Sequence, residues 1–236
     1  MELILVRHGQ PAWLHPDGTG SIDPQLTDLG RAQAALAARR LADSEDEPAR
    51  GDIDHLFVSP TRRTQETAAP IAEALGLPIE TLDWLEEVRS PPAWEGSPSE
   101  VIEEAFRTFQ HRTREQWWEG QPGGEPLREF HDRISGGLRS TLAGIGVTPA
   151  TEAGLWDVAP IEPDVDRVTI VAHGGTNGAI IATLLAIPPE PWEWDRFAIG
   201  HASFSVLTTL PVAGHHIWSL RTLGDGTHLP VDDRTR

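Results

Sequence analysis

A chain of 236 residues with 39% hydrophobic and 23% charged residues has the make-up of a folded globular protein, which excludes disorder over most of its length. Its 19 Lys and Arg against 36 Asp and Glu leave a net charge of −17, which repels nucleic acid and anionic membrane surfaces, so a small anionic ligand needs a local island of positive charge. The absence of Cys rules out disulfides, a thiol nucleophile and Cys-containing zinc sites.

Glu2 stands where a secretory leader carries basic residues, and the apolar run Leu3-Ile4-Leu5-Val6 is too short for one. No later run is long enough to cross a bilayer, so a cytoplasmic protein without a membrane partner is the simplest reading. The same run, stopped at Arg7-His8-Gly9, reads as a buried central strand, and so do Leu56-Phe57-Val58 and Val168-Thr169-Ile170-Val171-Ala172. Each ends at a polar or Gly-rich turn and leads into a helical pattern. This is the β-then-α repeat of an α/β protein.

Thr27 is a good cap for a first helix with Leu29, Ala32 and Leu36 on its apolar face. A second helix is expected over 60–75, stopped by Gly76 and Pro78. Ser97, Pro98 and Glu100 open a third through a capping box, with Val101, Ala105, Phe106, Phe109 and Trp117 near one stripe. Leu127, Phe130, Ile134, Leu138 and Leu142 mark a fourth, and 176–186 a fifth, ended by Pro188-Pro189. Alternation over 203–210 and 216–223, about a Pro/Gly turn, predicts a closing hairpin and hence a mixed sheet. The acid-rich segment 43–54 and the Pro-containing segment 147–166 read as loops, and 224–236 as a flexible tail. Residues 1–223 are expected to form a single domain, with 89–124 a helical lid inserted over the sheet.

Three fragments carry chemistry. Arg7 and His8 end a buried strand, where open α/β sheets place their ligands; a rigid strand end orients an imidazole for in-line attack, and a guanidinium beside it can bind phosphoryl oxygens. Ser59-Pro60-Thr61-Arg62-Arg63 leads from strand to helix and puts an Arg beside free backbone N–H groups, a favourable place for phosphate. Ala172-His173-Gly174-Gly175-Thr176 repeats the arrangement with a second His able to donate to a phosphoryl oxygen. Taken singly, each also reads as an ordinary polar turn, a solvated surface Arg or a structural histidine.

Together and in this order, the fragments resemble the histidine phosphatase (phosphoglycerate-mutase-like) superfamily, branch 1. Gln25-Leu26-Thr27-Asp28-Leu29-Gly30-Arg31 resembles its first helix opening, and Leu85-Glu86-Glu87-Val88 with Trp94-Glu95-Gly96 the segment supplying its proton donor. The resemblance spans roughly 1–100 and 123–210, and departs from the family at Leu14, where Asn is common. It implies a three-layer α/β/α sandwich around a mixed, mostly parallel sheet of about six strands with a helical lid. It also implies His8 as nucleophile, Glu87 as acid and then base, and Arg7, Arg63 and His173 as the phosphate pocket, with Arg62 pointing elsewhere. Gln10, Trp13, Trp94 and His201 are candidates for the substrate pocket.

The implied reaction is metal-independent hydrolysis of a small phosphate monoester through a phosphohistidine, with no cofactor and no bound metal. Phosphoglycerate-mutase-type transfer and non-catalytic phosphate binding are the alternatives. The first is disfavoured because 88–96 lacks the Tyr-Gly-rich stretch of cofactor-dependent mutases and the chain has no Tyr. In the lid, His111, Arg112, Arg114, Trp117 and Trp118 either line the pocket or, for the two tryptophans, anchor the lid to the body or to a homodimer partner.

Overall fold

The fold is taken from a computed structural model that describes residues 1–45, 52–159 and 167–236. The run 3–6 is apolar without alternation because it is covered on both faces. Within β1 (Glu2–Arg7), Leu3 and Leu5 pack into one apolar cluster and Ile4 and Val6 into another on the opposite side. The first cluster is completed by α5 (Leu127–Gly144) and α6 (Gly174–Leu184), the second by α1 (Asp28–Glu45) and α2 (Arg62–Leu75). Two helical layers therefore sandwich the sheet. Each fully buried Leu or Phe contributes ~1.5–3 kcal/mol, which makes the sheet a stiff floor for whatever its strand ends carry.

The remaining strands are β2 (His55–Val58), β3 (Ile79–Thr81), β4 (Val147–Pro149), β5 (Trp156–Val158), β6 (Arg167–Ala172), β7 (Phe204–Val212) and β8 (His215–Asp225). Their order is β3-β2-β6-β1-β7-β8-β5-β4. The sheet thus has eight strands rather than six, and it is not mostly parallel. Pairings β3–β2, β2–β6 and β6–β1 are parallel, whereas the four from β1 onward are antiparallel. The extra strands, β4 and β5, lie in the segment read as a loop. They are three residues each and joined to β8 only at Trp156 and His216, too short to leave a period in the sequence.

Three further expectations shift. The buried face of α1 runs through Gln33, Ala34, Ala37, Ala38 and Leu41, while Ala32 is exposed. The helix is turned this way because Gly30 lies against the backbone of Gln10; a Cβ there would overlap the Gln10 carbonyl oxygen. No capping box opens α3 (Ser99–Phe109): the Ser97 hydroxyl donates to the Ala93 carbonyl instead. The capping box forms at Thr113 and Gln116, which start a separate short helix, α4 (Arg114–Trp118), so Trp117 leaves the α3 stripe.

The segment 224–236 is also packed rather than free. Leu229 is buried, and Gln33 donates its amide to the Asp233 carbonyl and to the Thr235 hydroxyl. A buried glutamine on α1 supplies partners that the tail's own composition does not advertise. Trp118 and Phe109 pack against Leu127 at the base of the lid, with Trp117 against Phe109 and Trp192, so both lid tryptophans anchor it to the body. Arg112 reaches the Gly120 carbonyl and Arg114 pairs with Glu190. Among the described residues no helix is long and apolar enough to cross a membrane. The middle of the acid-rich loop and residues 160–166 lie outside the described residues.

Candidate active site

Strand register assembles the site. β1 and β6 run parallel with Arg7 opposite Ala172, so the next residues, His8 and His173, emerge side by side, their rings 5.2 Å apart. β2 flanks β6 with Val58 opposite Val171, which sets Ser59 beside them, and the Ser59 hydroxyl lies 2.8 Å from His173 Nε2. The turn after β2 then delivers Arg63 on the first turn of α2. Arg63 is 4% exposed, and Arg62 beside it is turned outward onto Gln25.

His8 Nδ1 lies 2.7 Å from its neighbour's carbonyl, Gly9 O. A carbonyl can only accept, so Nδ1 carries the proton and Nε2 keeps the lone pair. Burial first, then the Arg63 and Arg7 guanidiniums, hold the His8 pKa well below the ordinary imidazole value. His173 is lowered likewise, by burial and then by Arg63. Desolvation is the larger cause and the guanidiniums the smaller.

Arg7 donates from Nη1 to the Ile199 carbonyl at 2.7 Å and lies 3.1 Å through Nη2 from His201 Nε2. A guanidinium can only donate, so Nε2 of His201 accepts and its Nδ1–H reaches the Thr235 hydroxyl at 2.8 Å. Burial and Arg7 push His201 down to about 3, which keeps that ring neutral and the relay Thr235–His201–Arg7 intact. The tail is thus tied to Arg7.

Four buried nitrogens gather here, Arg7 Nε, Arg63 Nε and Nη1, and His173 Nδ1, that have no hydrogen-bond partner among the described residues. The nearest carboxylate to Arg63 Nη1 is Asp23, at 3.7 Å. Buried donors left unpaired cost about 1–3 kcal/mol each and are rare. Their gathering around one cavity of about 1030 Å³ marks a place built for an anion. This is the positive island that a chain of net charge −17 requires.

Glu87 borders the same cavity. Its carboxylate accepts from Gly175 N at 2.8 Å, at the start of α6, and from Val88 N at 3.0 Å. A Cβ on Gly175 would crowd that carboxylate, so the second glycine of the Gly174-Gly175 pair makes room for Glu87. From below, Arg133 donates to the carbonyls of Trp84, Glu86 and Glu87 while Glu125 holds it through two oxygens, at 2.8 and 2.6 Å. Sequence reasoning missed Arg133, Ser59 and Thr235. The available signal was a cation beside the apolar stripe of α5, eight residues after Glu125.

Of the expected pocket residues, Trp13 and His201 border this cavity, Arg63 lies over the Trp13 ring at 5.2 Å, and Trp94 lines an adjoining groove. Gln10 borders neither. Its side-chain oxygen accepts from Thr27 and its N–H donates to Gln33, because the close approach at Gly30 turns it toward α1.

The model of the histidine phosphatase superfamily (branch 1) matches residues 3–215, the span that holds this whole constellation apart from the tail. The chain belongs to that superfamily. Among histidine phosphatases it is 34% identical over 210 residues to phosphoserine phosphatase 1 of Hydrogenobacter thermophilus, covering 88% of this chain and 86% of that one. It is 29% identical over 237 residues to a probable phosphoglycerate mutase of Yersinia enterocolitica, covering 98% and 96%. A mycobacterial glucosyl-3-phosphoglycerate phosphatase, solved with VO3, superposes with a TM-score of 0.63 at 28% identity, covering 94% of this chain and 97% of that one.

The three depressed histidines of the site carry a consequence for stability. Each binds its proton more weakly folded than unfolded, so acid favours the unfolded chain. Their contribution is complete above pH ~6.5 and is lost as the pH falls toward their folded values, at ~1.4 kcal/mol per pH unit for each ring. Calorimetry at pH 7 and pH 5 is expected to show Tm falling by roughly 10 °C. Equal values would mean that these rings titrate normally.

Proposed function

We propose that this protein is a metal-independent phosphomonoester hydrolase that acts on a small phosphorylated molecule through a phosphohistidine on His8. The observation that carries the reading is the set of four unpaired buried donors around the His8 ring, with a carboxylate, Glu87, at the edge of the same cavity. The dianionic phosphoryl group supplies acceptors for Arg7, Arg63 and His173 Nδ1–H, the tautomer that Ser59 favours by donating to Nε2.

With Glu87 entering as the carboxylic acid, His8 Nε2 attacks phosphorus in line, the P–O bond to the alcohol breaks, and Glu87 gives that oxygen its proton and becomes the carboxylate. Water next attacks the phosphohistidine and yields its proton to Glu87, returning both groups to their starting states. The guanidiniums supply the positive charge that balances the negative charge on the equatorial oxygens. A mutase reading, supported by the Yersinia relative, differs only in the acceptor: a second hydroxyl in place of water.

The test is a quenched-flow reaction with ³²P-labelled aryl phosphate in excess EDTA, stopped in alkali, where phosphohistidine survives. Label on His8 together with stoichiometric release of inorganic phosphate is the expected result. Phosphate release that needs an added divalent metal, or label absent from His8, overturns the proposal.

A further inference from the structure

Exposed apolar side chains are ordinary one at a time and informative when they gather. Nine large apolar side chains are exposed among the described residues, and four of them, Trp13, Leu14, Ile22 and Phe106, line one groove of about 900 Å³. That concentration argues for an apolar occupant. The groove shares Trp13, Arg63 and Glu87 with the phosphate cavity, so the two spaces adjoin.

One wall is the lid helix α3, where Phe106 packs on Trp94 at 5.2 Å. The other is the loop 11–22. Glu95 pins the two together by accepting from Ile22 N and by meeting His15 Nε2, each at 2.8 Å, and Thr19 pairs with Pro98. The charges along it are unfavourable to an anion. Asp23, Glu86, Glu87 and Glu103 border it against only Arg63 and Arg89; Arg63 faces the phosphate cavity and Arg89 is spent on Glu86 at 2.7 Å.

Resting on the phosphatase reading above, we propose that this groove receives the leaving group of the substrate, and that the leaving group is an uncharged apolar alcohol of the aryl or medium-chain alkyl kind. Glu87 borders both spaces, so the oxygen it protonates lies at their junction and the alcohol departs into the groove. A carboxylate on the leaving group, as in phosphoserine or phosphoglycerate, meets a lining in which four acids outnumber two cations and is disfavoured.

The experiment measures kcat/KM for ethyl, butyl and hexyl phosphate and for phosphoserine and 3-phosphoglycerate, with wild type and His8→Ala in parallel. Hexyl phosphate is expected to exceed ethyl phosphate by on the order of 30-fold, from partial burial of four methylenes, and to exceed both carboxylates at least ~10-fold. Phe106→Ala should compress the hexyl-to-ethyl ratio several-fold, and Ile102→Ala, on the same wall, repeats the test should the first variant fold poorly. A flat alkyl series, or carboxylates preferred over hexyl phosphate, overturns the groove assignment while leaving the phosphatase reading standing. No His8-dependent release from any ester overturns that reading, and the groove proposal with it.

Discussion

His8→Ala is expected to lower kcat for an aryl phosphate by on the order of 10⁴-fold or more, with Tm at pH 7 changed little. No second group stands ready to replace it: the chain has no Cys, and His173 is tied through Nε2 to Ser59. The variant keeps Arg7, Arg63 and His173, so orthovanadate should still bind, weakened mainly by the missing apical ligand. Lost turnover with retained anion binding separates a nucleophile from a structural residue. The protonation argument adds a second readout. Because burial and two guanidiniums hold the ring neutral, the His8 Nε2 resonance in ¹⁵N NMR should remain that of an unprotonated nitrogen as pH falls from 7 to 5. A titration centred near 6.5, or turnover by His8→Ala at the wild-type rate, would falsify the assignment.

What the sequence made legible follows from how far each signal acts. Strands β1, β2 and β6 are buried on both faces, so their apolar runs stand out without any partner being known, and the residue after each run falls at the carboxyl edge of the sheet. That is why His8 and His173 can be placed at one edge of the sheet from sequence, while the partnership of Ser59 with His173 shows only in the fold. The choice of Arg63 over Arg62 came from family spacing and agrees with their burial, 4% against 59% side-chain exposure. The leucines of α1 suggest one phase, whereas its packing is set by Gly30 against Gln10, a backbone contact with no hydrophobic signature.

Other features depend on partners far away in sequence. The order of 231–236 hangs on Gln33 and His201, some 200 and 34 positions away from their tail partners, and β4 and β5 are held at the far edge of the sheet by β8. In the sequence Arg133 is one more cation on a helical segment. Its role in holding the 84–89 segment depends on three carbonyls that only the folded chain brings to it.

Arg63→Ala is expected to reduce kcat/KM by on the order of 10³-fold, in both kcat and KM, while leaving Tm unchanged or raised. Arg63 is buried with Nε and Nη1 unpaired, so in the free enzyme it is a desolvated cation compensated in part by the Glu87 charge, Asp23 at 3.7 Å and the Trp13 face at 5.2 Å. Burial lowers its pKa despite the nearby Glu87 and Asp23 carboxylates, which records the same cost. Removing such a group relieves the fold of a desolvated charge. Activity and stability should therefore move apart. Arg63→Lys keeps the charge but not the planar fork, and should recover only part of the loss, about tenfold. Steady-state kinetics beside calorimetry on the three proteins decides the matter. If Arg63→Ala unfolds readily and keeps its activity per folded molecule, Arg63 is a structural cation and the phosphate cradle must be redrawn around Arg7 and His173.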